Sequence, residues 1–343
     1  MLPQRTGRDP FFASVGSPAG SGKDLTMKPY HPEGFLLQTE ENAAAFTSLA
    51  ALKEAYYSGK VLEARAIMCD KAHDLHVDLG ALRGIIPRAE GALGLDDGSV
   101  RDIAVISRVG KPVAFCITGF SVDEDGRPLA LLSRKTVQQA CLREYIARLQ
   151  PGDIIDAVVT HLEPFGVFCD IGAGISALMP IDTISVSRIP HPAARFLPGQ
   201  RIKAVVKSLD ETGRITLSYK ELLGTWEENA AFFKPGETVP GIVRSVERYG
   251  IFVELRPNLA GLAEYVPGVT AGQQASVYIK NLIPERMKIK LIIVDSFDAP
   301  CPPPKAQYFL SGDHIDRWVY SPACCEKTVE SVFAAPAVTA GAV

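Results

Sequence analysis

No apolar run in this 343-residue sequence approaches the ~18 residues that a membrane-spanning helix requires. Arg5, Arg8 and Asp9 stand near the start without the apolar core of a signal peptide behind them, so a cytoplasmic protein is expected. A dominant charge is also missing: 36 Lys and Arg face 39 Asp and Glu, a formal charge of −3. Without a basic field, binding of any polyanion has to use local surfaces. The seven cysteines form no framework. Cys69, Cys116, Cys141, Cys169 and Cys301 are scattered and Cys324–Cys325 are adjacent, and the odd count points to reduced thiols. Cys301, His314, Cys324 and Cys325 lack the Cys-x-x-Cys spacing of a zinc site, so no metal is expected there. Acidic residues sit singly in turns and linkers rather than in clusters, and no nucleophile stands with a base. Neither an enzyme nor a cofactor is expected.

What is present reads as a series of small units. The length suggests two or three domains. Residues 1–34 are rich in Gly, Ser and Pro and read as a disordered tail. Their GSPAGSGKD stretch imitates a phosphate loop but fails on spacing, with Ser17 where the first glycine belongs and Asp24 where Ser or Thr should be. An N-terminal helix falls within 35–58, where EENAAAFTSLAALKEAYY has apolar residues at helical spacing and stops at Ser58–Gly59. Short β-type runs fill 59–135, and TVQQACLREYIARL makes a helical linker over 136–150. A second strand-rich unit spans 151–221, a linker 222–234, and a third unit 235–295; 296–343 is a Pro-rich tail with Trp318 and a loose, small-residue end. Short strands with dense Gly/Pro/Asp turns predict an all-β protein. The unit size suits tandem five-stranded oligonucleotide-binding barrels, joined by short helical linkers as beads on a string.

Two of these units share a motif. EPFGVFCDIG at 163–172 returns as ERYGIFVELR at 247–256, so Phe165 and Phe168 correspond to Tyr249 and Phe252. Residues three apart on a regular strand point to opposite faces. A bulge at the intervening glycine would turn both rings onto one face and leave Val167 and Ile171 to fill the interior. Two exposed rings make a stacking platform for unpaired bases, at roughly 1–3 kcal/mol per base. Spacing alone equally allows both rings to be core packing at a barrel corner, and a repeat suits either reading.

The surrounding residues add a resemblance. PGD at 151–153, the aromatic-Gly-x-aromatic strand, the turn into ALMP and LDETGRITLSYK resemble the RNA-binding domain of bacterial ribosomal protein S1. Similar features cover 150–295, with a weaker version over 59–135, and TWEENAAFFKPGE resembles an interdomain linker of that family. The family's RNA face has two aromatics, a histidine ending the third strand, and an acid/base pair flanking the last hairpin. The resemblance therefore implies RNA contacts at Phe165, Phe168, Asp210 and Arg214, with Lys207 nearby, and Pro180 in place of the histidine. In the third unit it implies Tyr249, Phe252 and Lys288, with Glu264 at the histidine position and Ile283 at the acidic one, hence a weaker grip.

The first unit departs from the pattern. HDLHVDLG puts His73 and His76 where the rings belong and Asp74 where the glycine belongs; Pro87 takes the histidine position and Leu129 falls near the basic one. Strand alternation separates the two histidines and no third ligand is near, which argues against a metal. A barrel without its stacking face suits protein docking or a structural role, and the resemblance implies attachment to the small ribosomal subunit through it. The expectation is a protein that binds single-stranded RNA, messenger RNA in particular, during translation. Two alternatives stand beside it: an RNA-stability regulator built from the same modules, and a protein-interaction scaffold that has lost RNA contact, favoured by Pro180, Glu264 and the neutral charge.

Overall fold

Short segments in which apolar residues alternate with polar ones close into three barrels in the computed structural model, which describes residues 30–333 apart from 124 and 212. The GSPAGSGKD stretch and the last ten residues lie outside the described residues. The first barrel comprises β1 (Leu62–Cys69), β2 (Leu75–Asp78), β3 (Arg83–Ile86), β4 (Pro112–Val122) and β5 (Pro128–Ser133). The second comprises β6 (Ile154–Glu163), β7 (Gly166–Asp170), β8 (Ser176–Pro180), β9 (Arg201–Leu209) and β10 (Ile215–Ser218). The third comprises β11 (Thr238–Glu247), β12 (Gly250–Arg256), β13 (Leu259–Ala263), β14 (Gln274–Ile283) and β15 (Lys288–Phe297). Each closes in the same cyclic order, with its third and fifth strands parallel and the other pairings antiparallel.

Period-two patterning fills the interiors. Ala157 and Val159 of β6, Val167 and Cys169 of β7, and Met179 of β8 are fully buried, and Val243, Ile251 and Val253 do the same in the third barrel. The first strand of every barrel carries a bulge at the same place, between Ala66 and Met68, Val159 and His161, and Val243 and Ser245. The extra residue sharpens the local twist and lets five short strands close.

Several expectations are corrected. The helix expected over 35–58 is two, Glu40–Ala45 and Leu49–Tyr57. Thr47 donates its hydroxyl to Ala44 O, and Ser48, in extended conformation, accepts from Ala51 N, so side chains end one helix and cap the next. The linker helix runs Arg134–Glu144, capped by Ser133, with a 3₁₀ turn after it.

The barrels are not beads on a string. Glu33, ahead of the first helix, is buried against Arg134 (Nε–Oε1 2.6 Å) and bonds Arg108 (3.0 Å), while its backbone N–H donates to Asp170 of the second barrel (2.8 Å). Burial alone would raise the Glu33 pKa, but the guanidiniums of Arg134 and then Arg108 hold it below the usual carboxylate range. Gln138 accepts from Leu93 N of one barrel's loop and donates to Ala173 O of the next barrel. The second and third barrels meet through Arg195, which donates to Glu254, itself forked by Arg244.

Part of the Pro-rich tail is built into these seams. Asp153 Oδ1 accepts from His314 Nδ1 at 2.7 Å, Ser331 donates to Glu221, and Tyr320 donates to Asn258 O. β16 (Arg317–Val319) pairs with β17 (Glu330–Val332) and carries Trp318 into the core of the third barrel. Composition signals a tail there because the prolines at 302–304 mark only the crossing segment, and the packed residues follow them.

Candidate nucleic-acid interface

The paired rings are settled by where each sits. Phe168 lies in β7 between Val167 and Cys169, which both face the core, so its ring must face out. Phe165 lies before β7, in the turn Pro164–Phe165, so strand alternation does not govern it. The turn folds its ring beside that of Phe168, with centroids 6.1 Å apart and planes at 88°. Tyr249 and Phe252 repeat this at 6.1 Å and 84°. Phe165 is 56% and Tyr249 71% exposed, which decides against core packing at a corner.

The glycine's role is also corrected. The bulge belongs to the opposing strand, and the glycine is needed for close approach to the next one. A Cβ on Gly166 would lie 2.5 Å from Met179 O, and one on Gly250, at φ +151°, 2.5 Å from Ala263 O. Any larger residue would push the turn, and the ring it carries, away from the barrel.

Register shows what surrounds the rings. Across the outer surface of the second barrel, His161, Phe168, Leu178, Thr216 and Ser208 stand opposite one another in a row. In the third barrel the row is Ser245, Phe252, Leu262, Lys290 and Asn281. Lys207 is exposed on a bulge of β9, between the partners of Thr216 and Leu217. Lys280 occupies the same bulge on β14, between the partners of Lys290 and Leu291. Asp210 accepts from Arg214 N (2.8 Å) and its own N–H donates to Arg214 O (3.0 Å), bracing the hairpin that presents the exposed Arg214. Lys288 is exposed opposite Ile283 at the end of the matching hairpin.

Sequence reasoning missed His161, Lys280 and Lys290. The KIK run at 288–290 carried a usable signal, because Ile289 faces inward and both lysines must then face out. The two bulge lysines could not be matched without the register.

The first barrel builds its row from Met68, His76, Ile85, Leu131 and Gly119, with Thr118 on the bulge. His76 Nε2 lies 2.9 Å from Asp70 and His73 Nδ1 3.3 Å from Asp102, which also takes the Arg88 guanidinium at 2.6 Å. The hydrogen bond from His76 holds Asp70 below the usual carboxylate range. Asp74 accepts from Arg88 N at 2.6 Å, so it fastens the loop rather than leaving a gap for rings. Each histidine thus has its own carboxylate. Among the described residues no three His, Cys, Asp or Glu groups converge as metal ligands, and Cys301, His314, Cys324 and Cys325 are not brought together. No described helix is long and apolar enough to cross a membrane.

Residues 148–220, which hold the second barrel and its paired phenylalanines, match the S1 RNA binding domain. The chain thus contains an S1 domain. It is 31% identical over 260 residues to a small ribosomal subunit protein bS1 homolog of Bacillus cereus, covering 72% of this chain and 63% of that protein. It is 36% identical over 138 residues to the small ribosomal subunit protein bS1 of Leuconostoc lactis, covering 38% of this chain and 32% of that one. The chain therefore spans less than two thirds of the length of these S1 relatives. Among solved structures, a multidomain protein with nucleic acid binding domains from Streptococcus pneumoniae aligns over 70% of this chain and 75% of its own, at 15% identity and a TM-score of 0.23.

Proposed function

We propose that the chain binds single-stranded RNA by stacking unpaired bases on two aromatic platforms, Phe165–Phe168 and Tyr249–Phe252. Lys207 and Arg214 hold phosphates beside the first platform, with Asp210 fixing the hairpin, and Lys288 does so beside the second. One observation carries this reading: both ring pairs stand out from their barrels edge to face, each beside an exposed cationic hairpin. Stacking is indifferent to base identity, so sequence preference is weak. A duplex hides the base faces that the rings need.

The names of the S1 relatives suggest the small ribosomal subunit as the setting, and the RNA proposed there is messenger RNA. The first barrel, whose ring positions hold histidines tied to carboxylates and whose surface exposes Ile67 and Met68, docks onto the ribosome. Fluorescence anisotropy with labelled RNA tests the first part: a single strand binds and salt weakens it, while a duplex of the same sequence binds far less. Equal binding of both forms, or no salt-dependent binding of the single strand, overturns the platform reading in favour of a protein scaffold. Sedimentation with small ribosomal subunits, before and after RNase, tests the second. Association that vanishes with RNase treatment runs through RNA and not through the first barrel.

A further inference from the structure

The outward row of the second barrel does not end at Phe168. His161 and Phe168 continue into a cleft of ≈830 Å³ between the first and second barrels, and Arg65, Lys111 and Arg201 line it. These cations come from different elements: Arg65 from β1, Lys111 from the turn before β4, and Arg201 from the start of β9. We propose that this cleft binds the phosphate backbone of the RNA strand as it leaves the Phe165–Phe168 platform, so that the first barrel contributes cations to RNA binding although its own ring positions do not stack. The proposal rests on the platform reading above.

Three observations support the assignment. First, the cations are spare. Arg65 donates to Gly110 O at 3.1 Å, and Arg201 donates to Gly34 O at 2.7 Å while lying 4.3 Å above the Phe35 ring. Among the described residues none of Arg65, Lys111 and Arg201 forms an ion pair, and all three are exposed. Second, the acids of the cleft are mostly engaged. Glu33 is neutralised by Arg134 and Arg108, and Asp170 accepts from the backbone N–H groups of Glu33, Gly172 and Gly174. Glu163, half-buried at the rim, is the one that opposes a phosphate. Third, Arg108 Nε is buried in the cleft wall with no hydrogen-bond partner. The Arg108 guanidinium, which lines the cleft, thus keeps donor capacity beyond its bond to Glu33.

The cleft carries one aromatic of the platform and no further ring pair, so it offers charge and not stacking. That fits a sugar–phosphate backbone better than a run of bases. It also predicts a dependence on RNA length, because a short strand occupies the platform alone.

The test uses the full chain and two single-stranded RNAs, one of about 4 nucleotides and one of about 16, the range that one barrel covers. Arg65→Gln with Lys111→Gln removes the first barrel's two exposed cations of the cleft and leaves Arg201, which also holds Gly34 and Phe35, in place. The longer strand is expected to bind roughly tenfold more weakly and to lose about 1.4 from its log K against log salt slope, 0.7 for each released counterion. The shorter strand should bind as to the unaltered chain. Arg65→Glu with Lys111→Glu should deepen the loss on the longer strand, and circular dichroism should show the same fold in both variants. An unchanged slope and affinity for the longer strand, with Phe168→Ala weakening both strands, overturns the cleft and keeps the platform. If Phe168→Ala also changes neither strand, the platform reading fails and takes the cleft with it.

Discussion

The first and second barrels have the same strand order, the same parallel closure and a bulge at the same point of the first strand, yet their outer faces share little. At the position of Phe168 the first barrel holds His76, tied to Asp70, and at the position of Phe165 it holds His73, tied to Asp102. Interiors are constrained by volume and period, so Val77 and Val167 are both fully buried in the second strands of their barrels. Outward residues meet only their neighbours in the row. The barrel can therefore keep its closure while its face changes from rings to histidine–carboxylate contacts, and fold alone does not say which barrel would hold RNA.

The largest expected effect lies where the two barrels are joined. Glu33→Gln leaves Arg134 and Arg108 without their carboxylate in a buried seam, and breaking such a pair costs about 3–5 kcal/mol. Thermal unfolding should then separate into two transitions, with the first barrel released early. A single transition at the original midpoint would show that apolar packing alone holds the seam.

Next comes a pH dependence to which the first barrel contributes through Glu63. Burial pushes Glu63 up to about 7 from an ordinary 4.5, only partly offset by the N–H groups of Leu36 and Gly34 that bond its carboxyl. Between those values the folded chain holds a proton that the unfolded chain has lost. Stability from this group is thus fully present below about pH 4.5 and falls as pH rises to about 7, by at most about 3 kcal/mol. Glu63→Gln should make urea unfolding midpoints less steep across that window, leaving the share of Asp170, which burial likewise pushes up to about 7. A profile as steep as that of the unaltered chain would place the titrating group elsewhere.

Phe168→Ala should weaken single-stranded RNA binding by roughly 1–3 kcal/mol, the value of one stacked base, while His76→Ala at the matching position leaves it unchanged. Phe252→Ala tests the third barrel. The sequence suggested a weaker grip there, from Glu264 and Ile283, but Lys280, Lys288 and Lys290 all face out. Its loss should fall in the same range as that of Phe168→Ala, and a loss of less than a third of that would restore the sequence-based ranking.

Much of this was readable from residues. The barrels followed from short alternating runs and their turns, and the paired rings from a repeated motif. Alternation misplaced Phe165 because a turn residue does not obey strand period, and it gave the glycine a bulge that belongs to the opposite strand. Lys280 and His161 needed the register, which depends on where bulges fall. The seams stayed hidden for another reason: Glu33, Arg134 and Asp170 are far apart in sequence, and single charged residues look alike until they are buried.

The smallest expected effect is a gain. His73→Phe, Asp74→Gly and His76→Phe rewrite the first barrel's ring positions to match the second. The ring pair would then be complete in sequence, but its surroundings oppose it. Asp70 and Asp102 would lose their histidines and remain as carboxylates beside the new rings, and Asp102 would keep only Arg88. Asp74→Gly also removes the bond to Arg88 N that fastens the loop. Thr118 stands where Lys207 and Lys280 stand on the other barrels, so no bulge cation faces a phosphate. The added affinity for single-stranded RNA should stay below the roughly 1 kcal/mol at the lower end of one stacking step. Adding Asp70→Asn, Asp102→Asn and Thr118→Lys should raise it into the stacking range if charge is what limits the face. If the three ring-position changes alone reach that range, the carboxylates do not matter, and the contrast between the barrels reduces to the rings themselves.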